Sequence, residues 1–248
     1  MFEVIEMNKT TNRIELSGLQ KKFGSETVLT DVNLTVGAGE IVGLIGPSGA
    51  GKSTTINVML GIERADGGQA LILGQKMPNR KLLAEIGYMA QADALYDLLT
   101  ARENLYFFGR MKGLSKAKLN EEIPHLAQLV DLTASLDKQV KNYSGGMKRR
   151  LSLAIALLGQ PELIILDEPT VGIDPALRKK IWQELANLKA QGCSILVTTH
   201  VMSEAELTDR VALLFEGKII AFDQPKNLEA SYQVASIEQV FLKAEGEL

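Results

Sequence analysis

The sequence predicts an α/β fold with a mainly parallel sheet at its centre. Short apolar runs bounded by polar or glycine-rich turns are typical of buried parallel strands. Such runs occur at residues 41–45, 86–89, 163–166, 195–199 and 211–215. Helical patterns lie between several of them. Because strands alternate with helices, we expect ligands to bind at the carboxyl ends of the strands.

The first predicted element is a small antiparallel sheet beside the parallel core. Residues 13–16 and 28–36 resemble strands, the second with alternating apolar positions, and a glycine turn follows. Residues 67–74 resemble a hairpin. Alternation is typical of strands with one buried face. We therefore expect residues 13–40 and 67–74 to form an N-terminal antiparallel β-subdomain.

A helical subdomain is predicted between two strands of the core. Residues 100–141 carry no strong strand signal, and residues 103–111 and 121–129 have helical patterns. We interpret this stretch as an insertion into the sheet. The expected boundaries, within one domain spanning residues 1–248, are a core at 41–91 and 159–216, a helical subdomain at 92–158 and a short C-terminal tail at 217–248.

The clearest single helix is predicted at residues 176–190, where apolar side chains recur at helical spacing. Asp174 is suited to the N-cap, Pro175 to the first helical position and Gly192 to the end of the helix. This helix would lie between the third and fourth of the five predicted core strands.

Composition excludes several classes of protein. Of 248 residues, 46% are hydrophobic and 23% charged, which is too apolar for a disordered chain. The apolar runs are far shorter than the roughly 18 residues of a membrane-spanning helix. One cysteine and two histidines leave no disulfide framework and little for zinc, and the net charge of −3 gives no electrostatic case for nucleic acid. With no basic-then-apolar leader at its start, we expect a soluble intracellular protein.

A phosphate-binding loop follows the first core strand. The sequence matches G-x-x-x-x-G-K-[ST], and the loop comprises Gly46, Pro47, Ser48, Gly49, Ala50, Gly51, Lys52, Ser53 and Thr54. Glycines let backbone N–H groups surround phosphate oxygens, and the dipole of the next helix favours their charge. Lys52 would reach the β- and γ-phosphates, and the Ser53 hydroxyl would face Mg²⁺. The alternative is a plain glycine turn, which the strand–loop–helix context disfavours.

Two carboxylates end a second apolar strand. Asp167 and Glu168 follow residues 163–166, at the sheet edge where the phosphates would lie. Asp167 is placed to hold Mg²⁺ directly or through water, and Glu168 to accept a proton from an attacking water. The alternative is an ordinary acidic strand end in solvent.

A third motif, Ser144-Gly145-Gly146, opens a helix after Tyr143. Ser144 can cap this helix, and the glycines let a phosphate approach its N-terminus. A simple capped helix start fits locally just as well. The basic residues 148–150 that follow are typical of a solvated or internally paired helix turn.

With Ser144-Gly145-Gly146 between the phosphate-binding loop and the acidic strand end, the chain resembles the ATP-binding-cassette (ABC) ATPases, specifically the nucleotide-binding subunit of a transporter. The resemblance covers almost the whole chain and implies a P-loop NTPase core. In that family the signature commonly begins with leucine and ends with glutamine, whereas Tyr143 and Met147 stand here. In the family the phosphate contact is carried by the three residues between them, which are Ser144, Gly145 and Gly146 here.

Further site residues are implied by the resemblance. Gln91 matches the glutamine loop, Asp174 closes the D-loop of residues 171–174, His200 matches the switch histidine and Phe23 stands where an aromatic residue meets adenine. Plain alternatives exist, since Gln91 and His200 also suit strand ends and Phe23 suits a core. We assign His125, Trp182 and Cys193 to the surface or to packing.

The resemblance also implies cofactors and partners. ATP and Mg²⁺ would bind between two ATPase subunits arranged head to tail, as a homodimer or a paired heterodimer, with Ser53, Gln91 and Asp167 at the metal and Glu168, His200, Lys52 and Gln91 in catalysis. A separate transmembrane permease would dock near Gln91 and residues 92–100, which places the chain at the cytoplasmic face of the membrane. Residues 237–243 and the Gly-Gly-Met-Lys-Arg-Arg-Leu run resemble exporters of the drug- and antibiotic-resistance type.

Two other classes of protein share part of this pattern. A soluble cassette ATPase of translation or DNA repair would use the same chemistry, but those proteins usually carry two cassettes, coiled coils or zinc insertions. A P-loop kinase would share Lys52 and Ser53, yet has no use for Ser144-Gly145-Gly146 or His200. No nucleic-acid partner is expected.

Overall fold

The computed structural model describes residues 12–246. The strands in chain order are β1 (Ile14–Phe23), β2 (Glu26–Val36), β3 (Ile41–Ile45), β4 (Gly67–Ile72), β5 (Gln75–Lys76), β6 (Ile86–Met89), β7 (Leu163–Asp167), β8 (Ser194–Thr199), β9 (Arg210–Phe215) and β10 (Lys218–Asp223). The helices are α1 (Lys52–Met59), α2 (Arg80–Leu83), α3 (Ala101–Met111), α4 (Lys116–Leu129), α5 (Gly145–Leu157), α6 (Pro175–Ala190), α7 (Met202–Ala205), α8 (Pro225–Tyr232) and α9 (Ile237–Glu245).

One mixed sheet runs through the molecule in the order β5-β4-β1-β2-β10-β9-β3-β8-β7-β6. Strands β9, β3, β8, β7 and β6 are mutually parallel, which confirms the predicted α/β fold and its parallel core. Every residue of β3, β7 and β8 is buried, as expected for strands covered on both faces. The loops after β3, β6, β7 and β8 therefore emerge at one edge.

The antiparallel strands are longer than the sequence predicts. β1 pairs with β2 and with β4, and it continues to Phe23 through a polar stretch. Lys21 occupies an inward position in this stretch. Its stem is buried, while its ammonium donates to the Arg64 carbonyl at 2.9 Å and lies 3.3 Å from Glu63. A lysine at an inward position interrupts the apolar alternation, so hydropathy patterns do not detect this part of the strand.

The helical region between β6 and β7 contains α3, α4 and α5, packed on one face of the core sheet. α4 begins at Lys116, capped by the Ser115 hydroxyl, five residues before the predicted start, and it continues through Pro124. Leu119 is the only buried residue among positions 116–121, so apolar periodicity does not reveal the start of the helix. α6 begins at Pro175 with Asp174 as its N-cap, as predicted.

The last described residues form more than a short tail. β10 joins the sheet between β9 and β2, and α8 and α9 follow. Ile237, Val240 and Phe241 pack in a separate apolar cluster with Ile45 and Leu213 of the core strands. Hydrogen bonding to both neighbouring strands makes β10 part of the sheet. Among residues 12–246 no helix is long and apolar enough to cross a bilayer.

Candidate ATPase site

The loop between β3 and α1 requires glycine at two positions, Gly51 and Gly46. Gly51 has φ 105°, in the left-handed region, and a Cβ there would lie 2.7 Å from Leu29 Cδ2. A Cβ on Gly46 would lie 2.1 Å from the Leu214 carbonyl oxygen. The loop is therefore wedged against β2 and β9 and turns directly into α1.

Lys52, the first residue of α1, holds a buried ammonium over this loop. Its Nζ donates to the carbonyls of Gly46 at 2.8 Å and Pro47 at 3.0 Å. Burial lowers the pKa of Lys52, and the Glu168 and Asp167 carboxylates partly oppose that shift. A desolvated cation gains strongly from a bound polyanion, so the site favours phosphate.

The carboxylates after β7 differ in environment. Asp167 is buried and accepts a hydrogen bond from the Thr198 hydroxyl. Glu168 has φ 52°, and its N–H donates to the Thr198 carbonyl at 3.1 Å and hydroxyl at 2.9 Å. A left-handed backbone at a non-glycine residue stores strain, and such strain concentrates at functional sites. The conformation lets Glu168 Oε1 approach Lys52 Nζ to 3.8 Å and His200 Nδ1 to 3.3 Å.

One pocket of about 170 Å³ collects residues from three of the predicted motifs. The lining residues are Ser48, Gly49, Gly51, Lys52, Ser53, Thr54, Gln91 and Glu168. Gln91 follows β6 and is exposed, while Ala50 is buried behind the loop. The structure therefore brings the phosphate loop, Gln91 and Glu168 together at the carboxyl edge of the sheet, with His200 beside them.

The signature residues lie outside that pocket lining. Ser144 caps α5, its hydroxyl accepting from Met147 N–H at 3.3 Å, and Ser144 and Gly145 are exposed. Tyr143 is buried and donates to the Ser135 carbonyl at 2.6 Å. The Met147 side chain packs against the helical core. Both departures from the common signature thus serve packing and leave the helix N-terminus open.

Phe23 and Asp174 stand apart from the pocket. Phe23 ends β1 with 46% of its surface exposed, so it is not a core aromatic, and Lys21 Nζ lies 4.7 Å from its ring centroid. Asp174 is exposed and accepts from Leu177 N–H at 3.0 Å. Of the residues assigned to surface or packing, His125 is exposed and Trp182 and Cys193 are buried.

Sequence reasoning missed a buried carboxylate beside the site. Glu204 accepts from the hydroxyls of Thr170 at 2.6 Å and Thr199 at 2.8 Å, and lies 3.5 Å from Arg178 Nε. The Thr199 hydroxyl also accepts from Val201 N–H. Glu204 thus joins the segment after Glu168 to the backbone on both sides of His200. Its only signal in the sequence is a glutamate four residues after that histidine.

Comparison with known proteins agrees with this geometry. The family described as "ABC transporter" matches residues 29–171. "Nod factor export ATP-binding protein I" of Rhizobium sp. (strain N33) is 42% identical over 92% of this chain and 76% of its own length, and its counterpart in Paraburkholderia xenovorans (strain LB400) is equally similar.

Solved structures show the same likeness. The ATP-binding subunit of an ABC transporter aligns with a TM-score of 0.88 at 30% identity, over 94% of this chain and 99% of the other. A dimeric bacterial ABC transporter cassette aligns with a TM-score of 0.78 at 29% identity, over 85% and 98%. The same cassette bound to ADP and phosphate after hydrolysis aligns equally well, at 28% identity over 85% and 98%.

The fold and site define a P-loop NTPase, with the phosphate loop, acidic strand end and histidine converging at one sheet edge. The chain belongs to the ABC transporter family. It is an ATP-binding transporter subunit and an ATPase, and the predicted resemblance is confirmed.

Proposed function

We propose that this chain powers export of a substrate through a separate transmembrane subunit, bound at the cytoplasmic face of the membrane. The observation that carries the proposal is that Lys52 and Glu168 line one pocket with His200 beside them, while the helix N-terminus at Ser144 opens elsewhere. The direction of transport is supported by relatives named for export.

In the proposed site ATP phosphates occupy the loop of residues 46–54, and Phe23 stacks on the adenine. The oxygens of the Ser53 hydroxyl, the Asp167 carboxylate and the Gln91 amide fit Mg²⁺, which prefers hard oxygen ligands together with substrate phosphates and water. Among the described residues no cluster of three or more His, Cys, Asp or Glu offers a rival metal site. When bound, the ion would neutralise charge on the phosphates.

Hydrolysis needs a base near the γ-phosphate. Glu168 is the residue we assign to that role, because its carboxylate faces the pocket and lies 3.3 Å from His200. Lys52 would stabilise charge on the transferred phosphoryl group, and His200 would contact it from the opposite side. Gln91 would orient the attacking water or hold the metal.

A second cassette completes the proposed site. Ser144, Gly145 and Gly146 present an open helix N-terminus that suits a phosphate, yet the pocket of this chain is lined by other residues. A head-to-tail dimer, homomeric or with a paired ATPase, would place this terminus over the partner's ATP, with Asp174 near the interface. Hydrolysis would then release the two subunits.

The membrane subunit would dock in an apolar groove of about 450 Å³ between β6, α3 and α5. Leu83 and Met111 line its rim and are exposed. Beside it, Tyr96 and Leu98 are 48% and 73% exposed, and the Tyr96 ring packs on Phe107. Contiguous exposed apolar surface of this kind marks a protein interaction site.

The test replaces Tyr96 and Leu98 by alanine and measures ATP binding, co-purification with the membrane subunit and the ATPase rate of the assembled complex. Nucleotide affinity should persist while assembly and stimulated ATPase activity fall. The matched control replaces Ile62 and Ile220, which are exposed but lie away from the groove. Intact assembly in the first variant would contradict this docking site. A wild-type chain that never associates with membranes would favour the soluble alternative in translation or DNA repair.

A further inference from the structure

Arg149, in the second turn of α5, has a buried guanidinium that reaches two strand ends at once. It donates to backbone carbonyls of Ala90, Gln91, Asp167 and Glu168. Nη1 lies 2.7 Å from the Ala90 oxygen and 2.8 Å from that of Gln91. Nη2 lies 2.8 Å from the Glu168 oxygen.

Those carbonyls belong to the two segments that carry Gln91 and Glu168, both of which line the pocket. β6 and β7 are neighbouring parallel strands, and each continues past its last paired residue into one of these segments. The fork of a guanidinium suits this arrangement, because its nitrogens diverge in one plane and can serve both strands. An ammonium has no such span.

The contact also holds the strained peptide of Glu168. Its N–H is fixed by Thr198, and its carbonyl is fixed by Arg149. Both ends of a left-handed residue are therefore anchored, one of them by a side chain of α5. A strained conformation persists only where its surroundings determine it in this way.

Burial lowers the pKa of Arg149, while Asp93, Asp167 and Glu168 favour the charged form. Hydrogen bonds from a charged donor are stronger than those from a neutral donor. Asp93 lies 3.8 Å from Nη1 and also accepts from the Ser152 hydroxyl at 2.7 Å. The charge is thus held between α5 and the segment after Gln91.

The next residue on the helix provides a contrast. Arg150 also donates to backbone carbonyls, those of Val130 at 3.1 Å and Asp131 at 2.9 Å. These lie at the end of α4, so its contacts stay within the helical region. Arg149 therefore bridges to the ends of β6 and β7, whereas Arg150 does not.

We propose that Arg149 is a positioning residue, which couples the placement of the signature helix to the placement of Glu168 and Gln91. The inference rests on the proposed function. Arg149 stands five residues after Ser144, about 8 Å along the helix axis. A phosphate that draws the Ser144 terminus toward a partner subunit would also move the guanidinium. The water-activating carboxylate and Gln91 of the same chain would then be set by that movement.

The test compares Arg149→Lys with Arg150→Lys in the full chain, with steady-state ATP hydrolysis and thermal unfolding measured for each. Lysine keeps the charge but cannot serve both strands. Arg149→Lys should lower kcat by about 10²-fold, as misplacement of catalytic groups by an ångström does, with the KM for ATP changed less than about threefold. Arg150→Lys should retain kcat and KM. Equal effects of the two variants on kcat, or a kcat near that of the wild type in Arg149→Lys, would overturn the inference.

Asp93→Asn provides a second variant in case Arg149→Lys does not fold. It removes the charge partner of Arg149 and keeps an acceptor for Ser152. We expect kcat to fall about two- to fivefold, the range of a weak ion pair, and an unchanged kcat would overturn the coupling role. A wild-type chain that does not hydrolyse ATP would overturn the proposed function and this inference together. ATP hydrolysis whose kcat does not change on substitution of Arg149 would overturn the inference and leave the proposed function standing.

Discussion

His200 Nδ1 lies 3.3 Å from Glu168 Oε1, and the same carboxylate oxygen lies 3.8 Å from Lys52 Nζ. Lys52 and His200, which are far from Glu168 in sequence, therefore both lie close to the same Glu168 oxygen atom. The carboxylate stands between a buried cation and a half-exposed imidazole, so it is oriented before any phosphate arrives. This relationship motivates the first two predictions.

Lys52→Ala should weaken ATP binding and abolish phosphate release, because it removes a charge-assisted contact and leaves the Glu168 carboxylate facing the phosphates without its cation. Calorimetric titration with ATP and a phosphate-release assay measure the two effects. Lys189→Ala is a suitable control, since Lys189 pairs with Asp209 near the start of β3, at the opposite edge of the sheet. Near-normal turnover in Lys52→Ala would refute the phosphate-loop assignment.

Glu168→Gln should bind ATP and hydrolyse it slowly. Loss of a general base typically lowers the rate by about 10²–10⁴-fold. Because the nucleotide then persists between subunits, the variant should accumulate as an ATP-bound dimer, alone or with its paired cassette. Size-exclusion chromatography with and without ATP tests this expectation, and a monomer under both conditions with every natural partner present would contradict it.

Glu204→Gln should lower kcat while leaving the KM for ATP nearly unchanged. The amide keeps one acceptor oxygen, so only one of the Thr170 and Thr199 hydroxyls retains its partner, and the ion pair with Arg178 is lost. Displacement of the His200 segment follows. Glu40→Gln is the matched control, because Glu40 pairs with Arg210 before β3, away from the pocket. If both variants lose only thermal stability, Glu204 has no part in positioning.

Lys112 should make the free energy of unfolding depend on pH in the alkaline range. Burial lowers its pKa from 10.5 to about 8, partly offset by Glu122, and its Nζ lies 3.2 Å from the Leu158 carbonyl at the end of α5. Between pH 8 and 10.5 the unfolded chain binds the proton that the folded chain has released, so stability rises with pH in that window. Below pH 8 both states are protonated and the full penalty of burying the charge remains.

Lys112→Met should therefore lose this pH dependence. The stability of the wild type relative to the variant should increase by at most about 3 kcal/mol between pH 8 and 10.5. Urea unfolding of both proteins at several pH values measures the difference. A difference that stays constant with pH, or that falls as pH rises, would show that the ammonium is not buried in the folded chain.

Several features could be predicted because their causes are local. β3, β7 and β8 are buried on both faces, which leaves a continuous apolar run. The phosphate loop requires glycine where Gly51 adopts a positive φ. Asp174 caps α6 through its own side chain. In each case residues that are close in sequence determine the local structure, so the sequence pattern predicts it.

Other features depend on partners distant in sequence. Arg149 lies among basic residues typical of a solvated turn, but it is buried against carbonyls that include that of Ala90, 59 residues earlier. Lys21 breaks the pattern of β1 because its charge finds partners at Glu63 and Arg64. β10 is partly exposed along its length and pairs with β9 through a two-residue turn at 216–217, a hairpin that apolar runs do not reveal. No local propensity specifies the contacts of Arg149 and Lys21.

The position of β10 has a consequence for protein engineering. Gly217 donates to the Ala50 carbonyl at 3.2 Å, its own carbonyl accepts from Thr30 N–H at 3.0 Å, and a Cβ there would lie 2.2 Å from the Val28 oxygen. Gly217 therefore connects the antiparallel strand β2 to the phosphate loop of the parallel core. A tag, linker or permuted terminus placed between β9 and β10 would separate the antiparallel strands from the parallel core directly behind the phosphate loop. Reporter insertions should therefore be placed in other surface turns.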